Sequence, residues 1–79
     1  MGIVVLSDNS EEAKKLCANV YEAISQLGEI IAFDEVVDED VIATYHVRKL
    51  PALVINGSIV SQGLISSVQE IIGEIEYMY

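Results

Sequence analysis

Tyr45-His46-Val47-Arg48-Lys49-Leu50-Pro51-Ala52-Leu53-Val54-Ile55-Asn56-Gly57-Ser58-Ile59-Val60 decides the fold, because it sets the only proline of the chain directly before an apolar run and an Asn-Gly pair. Asn-Gly is the strongest short hairpin signal, since a type I′ turn needs positive φ at both central residues. The stretch therefore predicts two antiparallel strands, Ala52 to Ile55 and Ser58 to Ser61, joined at Asn56-Gly57.

Toward the N-terminus, Ile3 to Leu6 is a continuous β-branched and aliphatic run, the pattern of a central strand covered on both faces. Ser7-Asp8-Asn9-Ser10 then offers several cap residues. Asn9 and Glu12 have the spacing of a capping box, and Glu11 and Glu12 place negative charge at the positive end of a helix dipole. Ala13, Leu16, Cys17, Val20, Ile24 and Leu27 follow at helical spacing, and Gly28 supplies the stop. Glu29 to Val37 reads as a second strand with Ile31 and Phe33 on one face, near an edge because Asp34 and Glu35 interrupt it. Asp38-Glu39-Asp40 opens a short helix through Tyr45. Beyond the hairpin, Ser66-Ser67 with Gln69 or Glu70 caps a last helix whose buried face is Val68, Ile71, Ile72, Ile75 and Met78. The order is β-α-β-α-β-β-α over a single domain, residues 1–79. It predicts an α/β fold with a mixed four-stranded sheet and helices on both faces.

Composition narrows the function. A chain of 79 residues buries only about 60% of the surface it exposes when unfolded, so nearly every apolar periodic position is needed inside. Four Lys and Arg against thirteen Asp and Glu give a formal charge of −9, which works against nucleic acid or an anionic membrane as partner. No stretch approaches the ~20 apolar residues of a membrane span, and Met1 to Leu6 has no basic leader region, so the expectation is a soluble, cytoplasmic domain. The single cysteine forms no internal disulfide and calls for no oxidising compartment.

Element order and the proline-hairpin stretch together resemble the thioredoxin and glutaredoxin superfamily. Tyr45 to Pro51 is similar to that family's approach to its cis-proline, commonly Tyr-Gly-Ile/Val-x-x-x-Pro. Pro51-Ala52-Leu53-Val54-Ile55-Asn56-Gly57 is similar to small stand-alone members that carry Pro-Ala-Leu-Val-Ile-Asn/Asp-Gly there. The resemblance covers essentially the whole chain. It implies a thioredoxin-like fold, a cis bond before Pro51, and a Leu50 backbone whose N–H and C=O face solvent, where working relatives pair with extended peptide substrate.

One departure bears on chemistry. In the small relatives the first strand runs into Cys-x-x-Cys followed by Lys-Lys-Leu; here Lys14-Lys15-Leu16 follows Ser10-Glu11-Glu12-Ala13, so Ser10 and Ala13 stand where the cysteines would be. Dithiol exchange needs a thiolate of lowered pKa and a second thiol to resolve the mixed disulfide. A serine hydroxyl titrates far above neutral pH, no adjacent base activates it, and Ser10 reads as a helix cap. The expected activity is therefore a redox-inactive module that binds a protein or extended peptide, with Ser7, Asp8, Asn9, Ser10, Ala13, Leu50 and Pro51 as the vestigial redox site. The plainer reading is that Pro51 only sets a turn.

Cys17 is the alternative. Flanked by Leu16 and Val20, it reads as a buried free cysteine acting as a small hydrophobe. The enzymatic reading makes it the thiol of a divergent monothiol protein, or has a partner lend a second cysteine. His46 stands where relatives often have glycine and tolerates left-handed backbone better than most residues. Alone, it makes a poor metal site. Asp34, Glu35, Asp38, Glu39 and Asp40 lack the spacing and central glycine of an EF-hand, and no phosphate-binding glycine motif opens the first helix. Neither a metal nor a cofactor is expected. Self-association through an exposed β edge is a further reading.

Overall fold

The structure is a computed structural model and describes residues 2–78. It contains β1 (Gly2–Leu6), α1 (Glu11–Leu27), β2 (Ala32–Val36), α2 (Glu39–Ala43), β3 (Ala52–Ile55), β4 (Ser58–Gln62) and α3 (Val68–Met78). The strands form one sheet in the order β2-β1-β3-β4, with β1 parallel to β2 and antiparallel to β3, and β3 antiparallel to β4. The continuous apolar runs fill the two central places, and the strand interrupted by acids lies at an edge.

Strand parity separates two apolar faces. Ile3, Val5, Leu53 and Ile55 turn toward α1 and α3 and form one cluster with Leu16, Cys17, Val20, Ala23, Ile31, Ile71 and Ile75. Each aliphatic side chain fully buried in this way contributes roughly 1.5–3 kcal/mol. Tyr21 of α1 meets Phe33 of β2 edge to face at 4.8 Å between ring centres and 80°, which closes this core at the β2 edge. The other parity, Leu6, Ala52 and Val54, forms a smaller cluster covered by Val36, Ile42, Tyr45, Val47 and Leu50. No residue of α2 is buried, so this face is thinly roofed.

Local chemistry fixes the element ends, and in three places it differs from the sequence expectation. Ser10 caps α1, as its reading as a helix cap requires, its Oγ accepting from the Ala13 N–H at 3.1 Å, but the companion reading at Asn9 fails. Asn9 instead takes left-handed backbone, φ 63°, so the Asn9–Glu12 capping box does not form. β2 spans only Ala32–Val36, because Gly28 at φ 67° ends α1 with its N–H on the Ile24 carbonyl and the chain needs the next residues to turn back. α2 ends at Ala43 rather than Tyr45; Thr44, Tyr45 and His46 donate to carbonyls three residues back, a tighter turn than the α-helix.

Elsewhere the expected devices are in place. Asp38 caps α2 by accepting from Asp40 and Val41. The Ser67–Glu70 capping box closes reciprocally, the Ser67 N–H donating to Glu70 Oε1 at 2.9 Å and the Glu70 N–H to Ser67 Oγ at 3.1 Å. Hydrogen bonds to the carboxyl from the Ser67 backbone, and then its side chain, hold Glu70 below its ordinary value. Asn56 and Gly57 both have positive φ, 51° and 80°, and His46 has φ 58°. Asn56 also clasps the start of β1: its N–H donates to the Gly2 carbonyl at 2.8 Å and its Oδ1 accepts from the Gly2 N–H at 3.0 Å. Among the described residues no helix is long and apolar enough to cross a membrane.

Candidate functional site

The register Leu6↔Ala52 between antiparallel strands brings the residue after one beside the residue before the other, so Ser7 and Pro51 are neighbours at one end of the sheet. The Ser7 to Ser10 loop and the Leu50–Pro51 bond, which is cis, thus come together although forty or more positions apart in sequence. Ser7 is buried. Its N–H donates to the Val36 carbonyl at 2.8 Å and its Oγ accepts from the Asn9 N–H at 3.0 Å. Asp8 Oδ1 accepts from the Ser10 N–H at 3.1 Å, and these bonds to Ser10 hold the exposed Asp8 carboxyl below its ordinary value. Two short side-chain bonds therefore shape the loop that delivers Ser10 to the start of α1.

Ser10 and Ala13 lie one helical turn apart, Ser10 half-buried and Ala13 buried beneath it. On the opposite strand, Pro51 is buried and its carbonyl accepts from the Gly63 N–H at 2.8 Å, while Leu50 is half-buried against the smaller cluster. Among the described residues no hydrogen bond reaches the Leu50 N–H or carbonyl. No cavity opens among them either, so a ligand at this end meets backbone groups on an open surface.

Cys17 does not join this group. It lies one turn past Ala13, is only 9% exposed, and packs in the core between sheet, α1 and α3. Burial first, and then the charge of Glu35 and a hydrogen bond to it, push the thiol up from 9.0 to about 11. Glu35 is the neighbour the sequence reading missed. The signal was there: with Ile31 and Phe33 assigned to the core side of β2, parity puts Glu35 on that same side. Raising the thiol from 9.0 to about 11 cuts the thiolate present at neutral pH about a hundredfold. Maleimide is therefore expected to label native Cys17 slower than an open thiol by at least that factor, followed by mass spectrometry; labelling within the time of a free thiol would contradict the buried placement.

His46, Asp34, Asp38, Glu39 and Asp40 are exposed. Among the described residues no three His, Cys, Asp or Glu converge in a way that could hold a metal ion.

A four-stranded mixed sheet flanked by three helices, with the proline-led strand set beside the N-terminus of the first helix, is the architecture of thioredoxin-like domains. The family model described as Thioredoxin domain matches residues 1–76, and the chain belongs to that family. Among solved structures, one described as "Structure of a malarial protein" superposes with a TM-score of 0.74 over 96% of this chain and 93% of its own, at 14% identity, a likeness of fold alone. No curated protein matches the chain.

Proposed function

We propose that this thioredoxin domain is a binding module that docks an extended segment of a protein partner at the Leu50–Pro51 edge, and that it performs no dithiol exchange of its own. The observation that carries the reading is the Leu6↔Ala52 register, which sets the Ser7 to Ser10 loop beside a Leu50 backbone whose N–H and carbonyl have no partner among the described residues. An extended chain can satisfy both groups as a strand would. With no cavity among the described residues, affinity at this edge rests on main-chain hydrogen bonds rather than on a side-chain pocket. Redox inactivity is supported by Ser10 and Ala13 at the positions of the family's cysteine pair and by a single, buried thiol. A lone buried cysteine that needs no oxidising compartment also supports a cytoplasmic setting.

The test is selection from a random peptide library against the folded domain, with the selected peptides mapped by amide chemical shifts. Binding is expected to move the amides of Ser7 to Ser10, Leu50 and Ala52. A library that yields no binder, or shifts confined to another surface, sinks the docking reading. Insulin reduction by dithiothreitol tests the other half: acceleration by this chain that disappears in Cys17→Ser would establish a monothiol activity in its place.

A further inference from the structure

We propose that Gln62 is the positioning residue of the Leu50–Pro51 edge: its side chain holds the main chain of residues 47–50 so that the Leu50 N–H and carbonyl stand aimed at an extended partner. The inference rests on the docking reading above and adds what keeps that edge in shape.

The stretch between the His46 turn and Pro51 belongs to no helix or strand. Among the described residues one hydrogen bond holds it, from the Arg48 N–H to Gln62 Oε1 at 2.7 Å. The two residues are 14 positions apart and meet because Gln62 is the strand partner of Ala52, so its side chain reaches back beside the segment that leads into β3. The next residue completes the hold. The Gly63 N–H donates to the Pro51 carbonyl at 2.8 Å, and the stem of Lys49 lies 3.0 Å from the place a Cβ on Gly63 would occupy. The end of β4 thus grips the chain on both sides of Leu50 and leaves the main-chain groups of Leu50 unpaired.

Packing supplies little of this restraint. Val47 and Leu50 are only half-buried, on the thinly roofed face of the sheet. With no cavity among the described residues, docking depends on how the two Leu50 groups are held before the partner arrives. The apparent dissociation constant rises as the fraction of molecules in the competent arrangement falls. A stretch freed from its one hydrogen bond has to be ordered again on binding, and that cost weakens the complex. Gln62 itself is exposed, so truncating it opens no hole in either core.

The test compares the unaltered chain with Gln62→Ala and Gln62→Glu. In Gln62→Ala the nitrogen-15 order parameters of Val47 to Leu50 are expected to fall, with the urea midpoint of global unfolding unchanged. A peptide selected from the library against the unaltered domain is expected to bind this variant roughly three- to tenfold more weakly, the worth of about one hydrogen bond. Gln62→Glu keeps an acceptor oxygen in the same place and is expected to restore both readouts. Order parameters at Lys49 and Leu50 that do not change in Gln62→Ala overturn the proposal, with no peptide needed. So does a fall in the urea midpoint that Gln62→Glu does not reverse, the mark of a merely structural side chain. A library that gives no binder removes the docking reading and the positioning role with it, whereas binders that do not distinguish Gln62→Ala from the unaltered chain remove the positioning role alone.

Discussion

Replacing Ser10 and Ala13 together by cysteine is expected to accelerate insulin reduction by dithiothreitol about tenfold or more over the unaltered chain. The argument rests on where the two positions lie. A sulfur at position 10 replaces the cap of α1, where the helix dipole and N–H groups lacking helical partners favour a thiolate over a thiol. That thiolate attacks one sulfur of the insulin disulfide, forms a mixed disulfide and expels the other sulfur as a thiolate. The thiol introduced at position 13, buried one turn along, loses its proton and attacks the sulfur at position 10. Insulin then leaves with its second thiol, and dithiothreitol reduces the new internal disulfide. Glu11 and Glu12 lie between the two positions and oppose the thiolate, which limits the gain. Ser10→Cys alone, with no resolving thiol, is expected to accumulate mixed disulfide with little turnover. A double variant whose turbidity onset matches that of the unaltered protein would show that the end of the sheet no longer supports exchange geometry.

Leu53→Ala is expected to remove about 2–5 kcal/mol of stability. Leu53 is fully buried on β3, paired with Val5 and Ser61, and packed in the larger cluster beneath α1 and α3. A domain of 79 residues has on the order of 4–12 kcal/mol in total, so this one truncation takes a large share of it. The loss is read from the urea midpoint by circular dichroism. Leu64→Ala supplies the contrast, because Leu64 is 63% exposed and its truncation is expected to stay within about 0.5 kcal/mol of the unaltered protein. A loss below about 1 kcal/mol at Leu53 would mean the cluster relaxes around the cavity far more than close packing permits.

The parts of the molecule that were legible in the sequence are those governed by short-range chemistry. Asn56-Gly57 forecast its own turn, Gly28 its helix end, and the unbroken run from Ile3 its central place, because each signal is confined to a few neighbouring residues. At the start of α1 the Ser10 cap was legible, while the Asn9–Glu12 capping box was misread for a reason of the same kind. Asn9 and Ser10 are both good caps, and the choice between them falls to Ser7 and Asp8, whose side chains bond the Asn9 and Ser10 amides and push Asn9 into left-handed backbone. The meeting of the Ser7 to Ser10 loop with Pro51 was legible only through the resemblance to the thioredoxin superfamily, since no local pattern sets the register between β1 and β3. The contact between Cys17 and Glu35 was not, since it depends on how α1 rotates over the sheet, and no local pattern records that rotation.

The two sides of the sheet differ in how firmly they are held. One carries two long helices and most of the fully buried aliphatic side chains; the other has only a five-residue helix with no buried residue and the loop after it. The domain thus has a hard side and a soft side. Local opening has least to break on the soft one, and substitution there disturbs least. Over evolutionary time, residues 37–49 are where this lineage has room to acquire new surface chemistry while the barrier to global unfolding stays where it is.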